Sequence, residues 1–188
     1  MTDITLSAGD YMRPWRSPWG AFPIKNMPLS TGISSQTIAV GQVVALDVNS
    51  TSFQNCIIPS SLSSNALVST AVVGVAAQAS NARSDTNAQG TVIPVWEANP
   101  CVEFRARTGH GLLNSTMVGQ CKGLFWDSTN NITLVECGAS SLATPINRVV
   151  VTGLLDNSGD SGGAVTCRFI THDPGSSLST GRLLAFFV

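Results

Sequence analysis

The chain has 188 residues and a formal net charge of −1, and only 11% of its side chains are charged, against about 25% in ordinary soluble domains. At this length we expect one domain, large enough to bury a core without metal or disulfide staples. The 10 Lys and Arg residues form no run, which argues against a nucleic-acid partner. No apolar stretch approaches the ~20 residues that cross a bilayer, so no membrane partner is expected.

Residues 1–30 differ from the rest and are predicted to form an extended N-terminal arm. The sequence begins without the basic and apolar regions of a secretory signal, so we expect folding in a reducing cytoplasm. Residues 11–23 include three prolines, which disfavour both a helix and a central strand. Aromatic and arginine side chains dominate interface energetics, and the arm's predicted partner-binding anchors are Tyr11, Arg13, Trp15, Arg16, Trp19 and Phe22. The arm either docks on a neighbouring protein, which we expect, or folds over its own domain.

Residues 31–188 are predicted to form a single all-β domain, a small barrel or sandwich. Short apolar segments separated by glycine and turn residues are typical of such folds. The predicted strands, in chain order, lie within Gly41–Asp47, Ala71–Ala76, Gly90–Trp96, Val102–Ala106, Gly123–Asp127, Ile132–Val135, Arg148–Val151 and Ala164–Phe169. No helix of respectable length is predicted.

Two of the connections predict hairpins. Residues 127–131 join Gly123–Trp126 to Ile132–Val135, and the loop 156–163 joins the two following strands. Residues 60–64 predict a loop or one helical turn, and residues 81–89 predict a polar loop. The apolar C-terminal segment 183–188 should be buried in the core or under a partner.

No cofactor, metal or catalytic residue is assigned from the sequence. The five cysteines are odd in number and form no CxxC pair, so we expect most to be buried free thiols. With only two histidines, a zinc site is not expected. Asp156, Asp160 and Asp173 lack the ligand alternation of a calcium loop, and Glu97 and Glu103 have no recognisable sugar cleft beside them.

The segment Gly159–Gly163 spells the nucleophile motif GDSGG of trypsin-like serine proteases. The order His110, Asp127, Ser161 also matches a catalytic triad in form. However, His110 precedes Ser161 by only 51 residues, whereas that family places its histidine far earlier, in the first of two barrels. Only 27 residues follow Ser161, too few for the walls of a specificity pocket. We therefore interpret the segment as a hairpin loop, and His110 as part of a tight turn.

The order of several strands resembles tailed-bacteriophage head-decoration, or capsid cement, proteins of the lambda-decoration-like β-tulip or β-barrel group. The motifs that carry the resemblance are Gly41–Leu46, Val72–Ala77, Gly90–Trp96, Gly119–Phe125, and Arg148–Asp156 with Ala164–Phe169. The likeness covers roughly residues 38–170, and each motif alone is a generic strand. It implies a small β-barrel on the outer capsid surface of a virion, often trimeric, with no catalytic residues. The aromatic arm and the apolar tail are not part of the family pattern.

The sequence therefore predicts a virion structural protein rather than an enzyme. Its expected partners are the major capsid protein and further copies of itself, with assembly in the host cell cytoplasm. One alternative is a receptor- or glycan-binding β module of a fibre or spike. That alternative predicts exposed aromatic platforms on loops, whereas Trp96 and Trp126 lie in strand patterns. The distant alternative is the serine protease. The chain is too short, and too poor in helix, for a major shell protein.

Overall fold

A computed structural model describes residues 4–28, 38–46, 56–57, 72–80, 92–138 and 147–170. These residues form an all-β protein, and among them no α-helix occurs, only 3-10 turns at Ala8–Asp10 and Ser115–Met117. The strands are β1 (Arg13–Arg16), β2 (Ile24–Pro28), β3 (Val43–Leu46), β4 (Cys56–Ile57), β5 (Val72–Ala76), β6 (Val92–Glu97), β7 (Glu103–Gly109), β8 (Cys121–Asp127), β9 (Ile132–Glu136), β10 (Asn147–Leu154) and β11 (Ala164–Phe169).

Five strands close into a small mixed barrel in the order β7-β11-β10-β8-β9. Neighbours pair antiparallel except where β9 returns to β7 in parallel, with Arg107 opposite Leu134. Side chains alternate along β7, so that Phe104, Ala106 and Thr108 are buried. Phe104 meets Phe169 edge to face at 5.2 Å between ring centroids, an arrangement that aromatic pairs favour.

A second, antiparallel sheet has the strand order β2-β6-β5-β3-β4. Alternate side chains of its strands contribute to two different apolar clusters. Val43 and Val75 pack in the cluster that fills the barrel, whereas Val44 and Ala76 pack with Ile93 and others on the opposite face. The second sheet is therefore part of the same packed body as the barrel, and it is buried on both sides near β3 and β5.

Gly41 is the point where the arm, the second sheet and the barrel meet. Its φ is +78°, and a Cβ there would lie 2.5 Å from Tyr11 Cβ and 2.9 Å from the backbone nitrogen of Met12. The Thr133 hydroxyl of β9 donates to the Gly41 carbonyl at 3.0 Å in a buried position. Only glycine combines this backbone conformation with so close a crossing of the arm.

The N-terminal arm supplies the edge strand of both sheets. β1 pairs with β7, where Arg13 lies opposite Arg105, and β2 pairs with β6, where Ile24 lies opposite Trp96. Met12, just before β1, is completely buried in the barrel core. The arm is extended, as the proline pattern predicted. It pairs with its own domain, which is the alternative that the sequence left open rather than the docking on a neighbouring protein that we expected.

The predicted fold class is confirmed, including the small barrel. The predicted strands all exist, and both predicted hairpins pair antiparallel, β8 with β9 and β10 with β11. β1, β2 and β4 were not predicted as strands, and β7 and β10 each end three residues later than predicted. Residues 60–64 and 81–89, Asp173 and the apolar segment 183–188 lie outside the described residues.

Candidate functional site

Large apolar side chains are exposed along the arm between Trp15 and Ile24. Trp15 is 39% exposed, Trp19 58%, Phe22 37% and Ile24 55%. Exposed apolar surface is unfavourable in water at roughly 25 cal/mol per Å², and single exposed residues need no explanation. Four such side chains occur within ten residues of the arm, and this concentration makes the arm the candidate interaction site, because exposed apolar surface marks such sites.

A tight turn holds Trp19 in the solvent. The Ser17 side-chain oxygen accepts a hydrogen bond from the Trp19 N–H at 3.2 Å, and the Ser17 carbonyl accepts one from Gly20 at 3.3 Å. Gly20 has φ +71°, a conformation that glycine adopts without strain. The turn therefore presents Trp19, the most exposed large hydrophobic side chain among the described residues, between β1 and β2.

Two arginine side chains lie over aromatic rings of the arm. The Arg105 guanidinium lies 5.9 Å from the centroid of the Trp15 ring, and the Arg13 guanidinium lies 5.8 Å from that of Tyr11. Both distances fall within the range of a cation–π attraction. The ring contacts fix the direction of two guanidinium groups on an otherwise weakly charged protein.

The structure places five of the six predicted anchors at the surface. The exposed ones are Arg13, Trp15, Arg16, Trp19 and Phe22. Tyr11 is only half-exposed, because it packs against the cluster of Phe125, Ile132 and Leu134. The binding role of all six remains a prediction. Sequence reasoning missed Arg105 and Ile24, and the outward position of Arg105 could have been read from the alternation of β7.

An ion-pair network fixes the start of the arm to the barrel. Arg107 donates to Asp10 Oδ1 through Nε at 2.9 Å and Nη2 at 2.7 Å, and to Asp156 Oδ2 through Nη1 at 2.9 Å. Partial burial alone would raise the pKa of Asp10, but hydrogen bonds from Arg107 and Ser7 outweigh it and lower that pKa. The pairing shows that Asp156 serves the structure of its loop, since it also accepts from the Ala164 N–H at 2.8 Å.

His110, Asp127 and Ser161 line one groove of about 530 Å³, together with Ile4, Leu6 and Phe125 among others. Their contacts are nevertheless not those of a catalytic triad. The His110 ring stacks on Phe125 at 4.0 Å, and its Nδ1 lies 3.4 Å from the buried Glu136. Among the contacts of the described residues, no hydrogen bond joins His110 to Ser161.

Asp127 is engaged by its own turn and does not orient His110 by a hydrogen bond. Its carboxylate accepts from the Thr129 N–H at 2.9 Å and from the Asn130 side-chain amide at 2.7 Å. Burial would raise the pKa of Asp127, and these hydrogen bonds, with the nearby His110, lower it instead. The sequence predicted a tight turn at His110, and the structure places this residue in a bend directly after β7, with φ 57°.

In the parts of the chain that the structure describes, no group of three or more potential metal ligands comes together. No helix within these parts has the length and apolar character required to cross a membrane. Comparison with protein-family models, with curated proteins and with solved structures yields no match for this chain.

Proposed function

We propose that this protein is a virion structural protein that decorates the outside of an icosahedral capsid and stabilises contacts between capsomers. Its partners are the major capsid protein and further copies of itself, in a homo-oligomer that we expect to be a trimer. The observation that carries the proposal is the exposed aromatic series Trp15, Trp19 and Phe22 on the arm. Tryptophan and arginine are the residue types most enriched at the energetic centres of interfaces.

The arm's attachment to its own domain supports a binding role. Arg107 holds Asp10, Met12 is buried, and β1 and β2 are paired with β7 and β6. A segment that is already ordered loses less conformational entropy when it docks than a free peptide would. More of the free energy gained when the exposed side chains are buried therefore remains as binding affinity.

The low charge of the chain also fits a protein that lies among close neighbours. Only 11% of its residues are charged, so that few ions must be desolvated when surfaces meet. A cement protein acts through many symmetric copies, and even modest affinity per site then resists rupture of the whole shell.

Co-sedimentation with capsids of the parent virus that lack this protein tests the proposal. We expect the wild type to bind, and Trp15→Ala with Trp19→Ala to weaken binding by about 10-fold or more. Val118→Ala is the matched control, because Val118 is 47% exposed but lies outside the arm. Wild-type protein that leaves the capsids bare, or equal binding by the double variant, would contradict the proposal. Light scattering of the isolated protein tests the trimer.

A second candidate is binding of a glycan through the same aromatic side chains. The favouring observation is Trp19, which stands 58% exposed in a turn, as aromatic platforms of carbohydrate-binding modules require. A glycan array probed with the isolated protein distinguishes the candidates, since selective glycan binding lost in Trp19→Ala supports this one.

The serine protease alternative has its own test. We expect no hydrolysis of peptide substrates by the purified protein, because the described contacts of His110 lead to Phe125 and Glu136. An activity that is present in the wild type and lost in Ser161→Ala would establish the enzyme instead.

A further inference from the structure

The outer face of the barrel carries an unusual juxtaposition of arginines. Arg13 of β1 lies directly opposite Arg105 of β7 in the strand register. Along β7 the odd-numbered residues lie on the outer side, because Phe104 and Ala106 are buried between them. Like charges directly opposite one another across two strands destabilise a sheet. Within the protein the two guanidinium groups lie over aromatic rings, Arg13 over Tyr11 and Arg105 over Trp15, and these contacts do not neutralise their charge.

Two arginines on the same face of β7 differ in whether they form an ion pair. Arg107 is held by the two carboxylates of Asp10 and Asp156. Arg105, two residues earlier, forms no ion pair with any described carboxylate, and the same holds for Arg13 and Arg16. The chain has 11 acidic residues to its 10 basic ones, so acidic groups are not scarce overall. Among the described residues, Arg13, Arg16 and Arg105 are therefore neighbouring cations without a carboxylate partner.

The nearby carboxylate of Glu103 does not supply a counterion to these arginines. It lies 3.4 Å from Arg168 on the neighbouring strand β11, and Arg16 faces Glu103 in the register without an ion pair between the two side chains. The set of Arg13, Trp15, Arg16 and Arg105, termed here the arginine face, is therefore a positively charged surface on a protein of net charge −1.

We propose that the arginine face binds a carboxylate-rich segment of a partner protein. The identity of that partner as the capsid protein rests on the proposed function. Guanidinium groups recognise carboxylates through paired, charge-assisted hydrogen bonds. Trp15 adds exposed apolar surface to the site, and its ring lies 5.9 Å from the Arg105 guanidinium. Burial of the two cations against acidic groups also removes the repulsion between Arg13 and Arg105.

Acidic protein fits this surface better than nucleic acid. The whole chain is weakly negative and repels a long polyanion at a distance. The face also offers only a few cations, whereas tight non-specific nucleic-acid binding uses many phosphate contacts. A short acidic segment needs only to match this small area.

The test uses full-length protein and three probes, an octaglutamate peptide, an octaglutamine peptide and an oligothymidine of equal length. Tryptophan emission and calorimetry report binding at low and high salt. We expect the glutamate peptide alone to bind, with affinity that falls as salt screens the charges. Arg13→Gln with Arg105→Gln should weaken that binding by about 10-fold, whereas Lys25→Gln, the same charge change at an exposed residue of β2, should not. Circular dichroism and a urea transition show whether each variant is folded.

Each outcome decides between the two proposals. Failure of the glutamate peptide to bind, equal binding by the double arginine variant, or tighter binding of the oligothymidine overturns the arginine face as an acidic-segment site. Capsid co-sedimentation is measured in parallel. If the wild-type protein binds the glutamate peptide but does not bind capsids, the capsid function is wrong and the inference is retained. Capsid binding that does not respond to salt and persists in the Arg13→Gln, Arg105→Gln variant overturns the inference and retains the capsid function.

Discussion

Arg107 and Asp10 lie 97 positions apart in the sequence, and two hydrogen bonds of 2.9 and 2.7 Å join their side chains. Both side chains are largely shielded from solvent, at 14% and 20% exposed. This ion pair fastens the 3-10 turn at the start of the arm to β7. Asp10 lies two residues before buried Met12, so the ion pair fixes the point from which the arm leaves the barrel.

Removal of the Arg107 guanidinium should loosen that attachment. We expect Arg107→Met to lower the free energy of unfolding by about 2–3 kcal/mol, because Asp10 and Asp156 would both lose a charged partner in a partly buried setting. Urea denaturation followed by circular dichroism measures the change. Arg168→Met is the control, since the Arg168 side chain is 45% exposed and makes a single, long contact of 3.4 Å with Glu103, which should contribute less than about 1 kcal/mol. Equal effects of the two substitutions would contradict this role of Arg107.

The same pair predicts a pH dependence of stability. Hydrogen bonds lower the pKa of Asp10 in the folded protein from its ordinary value of 3.8. Its stabilising contribution is therefore fully present above that ordinary value and is lost as the pH falls through the folded pKa. We expect Asp10→Asn to be less stable than the wild type at pH 7, with a difference that shrinks near pH 3. Urea transitions at both pH values measure it, and a difference that stays constant would refute the assignment.

Gly41 should tolerate no side chain. In Gly41→Ala the new Cβ would meet Tyr11 and Met12 within 3.0 Å, in addition to the strain of φ +78°. We expect a loss of about 2–4 kcal/mol in the free energy of unfolding. Gly119→Ala is the matched control, because Gly119 has φ +84° with nothing within 4 Å of the added atom and should lose only about 1–2 kcal/mol. Thermal melts of both variants isolate the effect of the close crossing.

The cysteines should differ sharply in reactivity. Burial raises the pKa of the Cys167 thiol to about 12, and only the thiolate is an effective nucleophile. We expect iodoacetamide to alkylate exposed Cys101 within minutes in the native protein and to leave Cys167 unmodified until urea is added. Peptide mass spectrometry locates the label. Early modification of Cys167 would show that the barrel opens more readily than its packing implies.

Features that depend on residues close together in the sequence were predictable, whereas pairings between distant segments were not. Strands such as Ala164–Phe169 were predictable because their apolar residues and flanking glycines are local signals. The Asp127 turn was also local, since its carboxylate bonds within three residues. The pairing of β1 with β7 was not predictable, because four residues containing one proline carry no signal for a partner about ninety positions away.

The candidate binding surface on the arm was likewise predictable only where the signal is local in the sequence. Exposed aromatic side chains were expected from the composition of the arm, and the structure places Trp15, Trp19 and Phe22 at the surface. The participation of Arg105 depends on the register that sets it opposite Arg13, which no local pattern contains. Conversely, the apparent triad of His110, Asp127 and Ser161 arose from residue order alone. The structure brings the three to one groove without the hydrogen bonds that the chemistry needs.

The crossing of the arm from one sheet to the other has a mechanical consequence. The turn that bears Trp19 is anchored on one side by β1 to the barrel and on the other by β2 to the second sheet. A pull on that turn is therefore shared by two sets of backbone hydrogen bonds on separate sheets. The turn could detach only if β1 and β2 both separated from their sheets. Force applied at this turn is therefore distributed over both sheets rather than concentrated at a single hinge.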